Sequence, residues 1–170
     1  MSSQVWADGS SRQQSARSRR SPMTASSAEA AVAQCMPMNQ YTVDLRIEGE
    51  SLSPEQVTLD LGLQPSLVRH RGDRRGTSEF AKSLWAFSGR EPRRDWPSLE
   101  AGLRHLLEEV APLRSVMEPY LQSGSVYWWC GSFQSQFGST ATLSPDLFKL
   151  LAAFGAPVHL SSYFSEETAD

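Results

Sequence analysis

The sequence predicts an α+β domain, and three observations carry that prediction. Residues 41–48 alternate, with Tyr41, Val43, Leu45 and Ile47 on one side and Thr42, Asp44, Arg46 and Glu48 on the other, the signature of a strand with one buried face. The tetrapeptides Leu52-Ser53-Pro54-Glu55 and Leu143-Ser144-Pro145-Asp146 write two helix starts in nearly the same letters. Between them Leu99, Leu103, Leu106, Leu107 and Val110 recur at helical spacing.

Taken in order, Gly49 ends the first strand. Ser53 is then placed to cap a helix, with Pro54 at its first position and Gln56 closing a capping box. Val57, Leu59 and Leu61 supply the apolar contacts of that helix, and Gly62 fits its left-handed stop. A second strand is expected at 83–88, around Trp85. Pro97 suits the first turn of the long helix, and Pro112 must break it, so a further helix is expected from Leu113 to about Leu121. Residues 125–133 read as a strand, Ser144 caps a helix through Leu147, Phe148, Leu150 and Leu151, Gly155 stops it, and 158–164 forms the last strand. Two duplicated β-α-β units give the simplest account, with the expected sheet antiparallel, four-stranded and ferredoxin-like. On that plan the long helical stretch is an insertion between the units.

The first 38 residues stand apart. They hold nine serines, four arginines and no Leu, Ile or Phe, too little apolar surface to offset the entropy of ordering a backbone. A Ser/Arg/Ala-rich disordered tail at 1–38 is expected, with a single domain at 39–170. Ala30–Ala33 is too short for a secretory core, and nothing apolar follows Arg19-Arg20. Met23, Met36 and Met38 all precede the first strand, so an over-extended start accounts for the tail as well as disorder does. The whole chain of 170 residues carries a net charge of −3, and residues 39–170 carry −5. That balance argues against nucleic acid as a partner. No apolar run approaches the ~20 residues of a membrane span, so no membrane is expected, and Cys35 and Cys130 suggest a reducing, cytoplasmic setting.

Five features together resemble the bacterial domain-of-unknown-function family 4279, over about residues 40–165. They are the strand Thr42–Arg46, the Leu-Ser-Pro-Glu start followed by Leu61-Gly62-Leu63, the loop Arg71-Gly72-Asp73, the pair Leu84-Trp85, and the late Leu-Ser-Pro helix before the last strand. The resemblance implies a bacterial cytosolic protein and lends no catalytic residue.

Signatures of catalysis are missing: no nucleophile elbow, no zinc-protease helix, no phosphate loop and no Cys-x-x-Cys. His105 and Glu109 share a helical face without further ligands, and Cys130 sits in an apolar strand with no cation near it in sequence. No enzyme, cofactor or metal is therefore expected. Two surfaces remain. Arg69, Arg71, Arg74 and Arg75 crowd one segment and form a candidate anion site, since guanidinium forks bind carboxylate and phosphate bidentately. A sheet with helices on one side also leaves a second face open. There Asp44 and Arg46 of the first strand meet His159 and Tyr163 of the last, whose Val158 and Leu160 point to the core. Trp128 and Trp129 must point to opposite faces. The sequence does not say which, and Trp128 is grouped with the open face. That face is expected to serve an unknown protein partner, with a homodimer seam or cover by the inserted helices as the other ways to bury it.

Overall fold

A computed structural model describes residues 40–93, 95–134 and 140–164; the tail expected at 1–38 lies outside the described residues. A five-stranded mixed sheet carries helices on one face. In chain order the elements are β1 (Gln40–Gly49), α1 (Pro54–Leu61), β2 (Leu67–Arg69), β3 (Arg74–Arg75), β4 (Ser78–Glu79), β5 (Ser83–Phe87), α2 (Leu99–Val110), α3 (Glu118–Gln122), β6 (Val126–Gln134), α4 (Pro145–Phe154) and β7 (Val158–Phe164). The sheet runs β2-β5-β1-β6-β7, and β3 and β4 form a separate small hairpin.

The helix ends follow the capping chemistry of the sequence. Ser53 Oγ accepts from the Gln56 amide at 3.3 Å, and Ser144 Oγ accepts from the Leu147 amide at 3.3 Å. Gly62 and Gly155 both sit at positive φ (62° and 89°), and each donates its amide to the last turn. The reciprocal arm of the expected capping box is not made: the Gln56 side chain donates to Asp60 at 2.7 Å instead. Pro112 ends α2 in a 3-10 turn at Ala111–Leu113, as its missing amide requires.

The sheet departs from the expected plan. β1 and β5 are antiparallel neighbours, whereas β6 and β7 are parallel neighbours, so β1-α1-β5 and β6-α4-β7 are not two copies of one unit. The shared Leu-Ser-Pro-acid lettering reports a common solution to helix N-capping, which any helix start can use. The strand missing from the sequence reading is β2, whose three residues are too few to show a period of two. With β2 included, the chain runs β1, α1, β2, β5, α2, β6, and these four strands lie in the order β2-β5-β1-β6 with every neighbour antiparallel. α4 and β7 then extend the sheet on the β6 side. Helix α2 is no insertion: it links β5 to β6 and packs directly on β1.

A single core lies between sheet and helices. Val43, Leu45 and Ile47 of β1 are fully buried with Trp85, Trp128, Leu103, Leu106 and Leu147. Trp85 Nε1 donates to Thr58 Oγ1 at 3.0 Å and so ties β5 to α1. Gly102 sets the approach of α2 to the sheet, because a Cβ there would lie 2.7 Å from Val43 Cγ2. Leu59, expected among the contacts of α1, is 76% exposed.

Candidate recognition face

Alternation along β1 sends Thr42, Asp44, Arg46 and Glu48 to the face that bears no helix. The register then decides their company. Asp44 lies opposite Trp129, and Arg46 lies between Tyr127 on β6 and Ala86 on β5. Trp129 therefore shares the open face with Asp44. Trp128, paired with Leu45, points into the core, where it is fully buried with its ring 5.1 Å from that of Phe154. The assignment of Trp128 to the open face is thus corrected: the tryptophan there is Trp129.

The polar groups of this face form one connected chain. Arg46 Nε and Nη2 donate to Asp44 Oδ2 at 3.2 and 2.8 Å. Ser88 Oγ donates to Asp44 Oδ1 at 2.6 Å and lies 2.8 Å from Ser66 Oγ. The Arg46 guanidinium carbon sits 3.9 Å from the centre of the Trp129 ring, a cation–π arrangement. The side chains of Arg46 and Asp44 keep only 18% and 15% of their exposure. Beside them Tyr127 donates to Glu48 at 3.0 Å. Burial, and then that carboxylate, push the Tyr127 hydroxyl above its ordinary pKa.

Asp44, Arg46, Ser66, Ser88 and Trp129 wall a cleft of about 430 Å³, bordered by Gln40, Thr42, Leu67, Arg93 and Phe133 as well. On the same face Gly131 leaves no room for a side chain: a Cβ there would stand 2.6 Å from Thr42 Oγ1 and 2.8 Å from the Trp129 ring. Thr42 Oγ1 is buried and has no hydrogen-bond partner among the described residues. Ser66, Ser88 and Phe133 were not singled out from sequence. Only Phe133 carried a signal, since it follows Trp129 at the strand period.

His159 and Tyr163 do lie on the open face, each stacked on a ring of β6. His159 stacks on Tyr127 at 4.4 Å, and Tyr163 stacks on Phe133 at 4.9 Å. Leu160, expected in the core, shares the helix-side face with Cys130 but is 63% exposed. It is uncovered because β7 is the edge strand and the helices do not reach over it.

The arginines of the candidate anion site fall on two short strands and the turn between them. Arg69 lies on β2 with its guanidinium 4.2 Å from the Phe80 ring. Arg74 and Arg75 form β3, where Arg74 pairs with Glu79 at 3.1 Å, while Arg71 lies 3.8 Å from Glu50. Elsewhere His105 pairs with Glu109 at 3.0 Å. Cys130 is buried, and burial followed by the nearby Asp44 carboxylate pushes its thiol up to about 12. Among the described residues no cluster of His, Cys, Asp and Glu could hold a metal ion, and no helix is long and apolar enough to cross a membrane.

No curated protein and no solved structure matches the chain significantly. Residues 39–165, which span the whole sheet and its helices, match the domain of unknown function DUF4279, and the chain belongs to that family.

Proposed function

We propose that this protein works without catalysis, by protein–protein recognition through the open face of its sheet. The partner offers an extended segment that carries carboxylates next to apolar side chains. The observation that carries this reading is the Arg46–Trp129 pair, held in place by Asp44 and Ser88 at the mouth of the cleft. A cation and an aromatic plane fixed before binding lose little side-chain entropy when a partner arrives. With Arg93 the cleft holds two guanidinium groups against the one carboxylate of Asp44, which favours an acidic segment. A bacterial cytoplasm, with an immunity or accessory role as one form, is compatible with the buried thiol of Cys130. We also read the β1–β6 portion as a ferredoxin-like core, on the strength of its strand order.

The test is fluorescence polarisation with labelled peptides of about a dozen residues, alternating Glu or Asp with Phe or Leu, beside counterparts with Gln and Asn. Acidic peptides bind more tightly than their neutral counterparts, and Arg93→Glu and Trp129→Ala each weaken them by about tenfold or more. Both variants melt within a few degrees of the parent. Equal binding of the neutral peptides, or binding indifferent to both substitutions, overturns the reading. Binding lost only on Arg71→Ala with Arg74→Ala transfers it to the arginine segment and to the alternative, a module for anionic small molecules.

A further inference from the structure

Among the described residues β7 pairs with β6 alone, so its outer side is an open sheet edge. The amide of Trp128 donates to the carbonyl of Pro157 at 2.8 Å, and Trp128 is the register partner of Val158. In a parallel ladder this turns the backbone groups of His159 and Ser161 toward β6 and those of Leu160 and Ser162 outward. Natural edges are blunted by shortness, by Pro, by charge or by bulges. The opposite edge has such protection: β2 is three residues long and runs into Arg69, His70 and Arg71. β7 has none. It is seven residues long, holds no Lys, Arg or Pro, and exposes Leu160 and Tyr163.

We propose that β7 is the seam of a homodimer, in which the strand pairs antiparallel with its own copy about a twofold axis at Ser161. The register is self-complementary. The outward backbone groups of Leu160 meet those of Ser162 in the second copy, which closes hydrogen-bonded rings on both sides of the axis. On the open face His159 falls opposite Tyr163 of the second copy. The stacks Tyr127–His159 and Phe133–Tyr163 then join into one aromatic row across the seam.

A ladder of this length alone falls short of the roughly 800 Å² per partner that a stable interface buries. Helix α4 supplies more. Its Leu147, Leu151 and Phe154 face the core, and Leu150 and Ala153 line a groove against α2. Helical spacing leaves Phe148 and Ala152 on the flank turned away from α2, and Phe148 is 54% exposed there. Apolar side chains thus flank the edge on the helix side while aromatic rings flank it on the other, the arrangement a second copy reproduces. The twofold axis stands perpendicular to the sheet, so both clefts open on the same side of the dimer.

Sedimentation equilibrium of the full chain from about 1 to 100 µM tests the seam, a range that brackets micromolar association. A dimer is expected, and Leu160→Lys and Ser162→Pro each weaken it by about tenfold or more, the proline by removing an outward amide. Leu59→Lys on α1 and Arg93→Glu at the cleft leave the mass unchanged, which separates this seam from the recognition reading. Circular dichroism and melting identify a variant that has merely unfolded, and Leu160→Lys is retained should Ser162→Pro do so. Hydrogen exchange slows at the Leu160 and Ser162 amides as concentration rises. A monomer throughout, or a dimer indifferent to both substitutions, overturns the proposal. So does protection of those amides only when a foreign peptide is added, which would assign the edge to another chain.

Discussion

Removing the carboxylate of Asp44 isolates what holds the cleft in shape. Asp44 accepts three hydrogen bonds, two from Arg46 and one from Ser88, and its side chain and that of Arg46 are more than four-fifths buried. Asp44→Ala deletes these charge-assisted bonds and strands a guanidinium that water reaches poorly. Hydrogen bonds to charged groups contribute about 1.5–3 kcal/mol, and a half-removed buried pair costs more than one removed whole. Asp44→Ala is therefore expected to cost about 2–3 kcal/mol. Arg46→Met keeps an apolar stem on Trp129 and is expected to cost about 1–2 kcal/mol. The double variant should be no less stable than Asp44→Ala alone, which gives a coupling of about 1–2 kcal/mol. Urea unfolding of the four proteins at low salt and at 1 M NaCl measures it. An ordinary surface pair would couple by less than about 1 kcal/mol and fade in salt. Coupling below about 0.5 kcal/mol, or a double variant less stable than Asp44→Ala by the full Arg46 increment, refutes the argument that this pair is built into the sheet.

Two further outcomes follow from the same structure. Trp128→Ala should destabilise by about 3–5 kcal/mol, the range for large core deletions, while Trp129→Ala should cost no more than about 1 kcal/mol; comparable losses in chemical denaturation would reverse the assignment of their faces. Glu100 lies below its ordinary pKa because Ser144 and then Arg104 hydrogen-bond its carboxylate. Its contribution is therefore full above the ordinary carboxylate pKa and is lost as pH falls through the lowered folded value. Glu100→Gln should flatten the acid limb of a melting-temperature profile, and an unchanged limb counts against this link from α2 to the cap of α4.

The fold was legible wherever a residue's own chemistry decides its conformation. Ser53, Ser144, Gly62, Gly155 and Pro112 placed helix ends because capping, positive φ and a missing amide are local properties. The alternation of β1 survived because both of its neighbours bury the same side. Topology was not local. Three residues of β2 carry no periodicity, yet their presence makes β5 the partner of both β2 and β1 and turns α2 from an apparent insertion into a crossover. Once β2 is missed, the matching Leu-Ser-Pro starts invite a duplication that capping chemistry alone explains.

The site was legible by face but not by depth. Period two correctly sent Asp44, Arg46, His159 and Tyr163 to one side of the sheet, yet it could not choose between Trp128 and Trp129, because strand register across β1 and β6 makes that choice. Asp44 opposite Trp129 is a long-range fact, and the Arg46 stack follows from it. Leu160 shows the same limit from the other direction. Its alternation with His159 identifies the helix-side face correctly, but whether anything covers that face depends on how far α4 reaches. An apolar residue left bare on an unprotected edge is thus invisible in the pattern that puts it there. Phe148 shows a related limit: the sequence places it on a helix with Leu147 and Leu151, and only the position of α2 on the opposite flank of α4 shows that it is left exposed. Leu160, which alternation assigns to the interior, and Phe148 instead mark the β7 border of the sheet among the described residues.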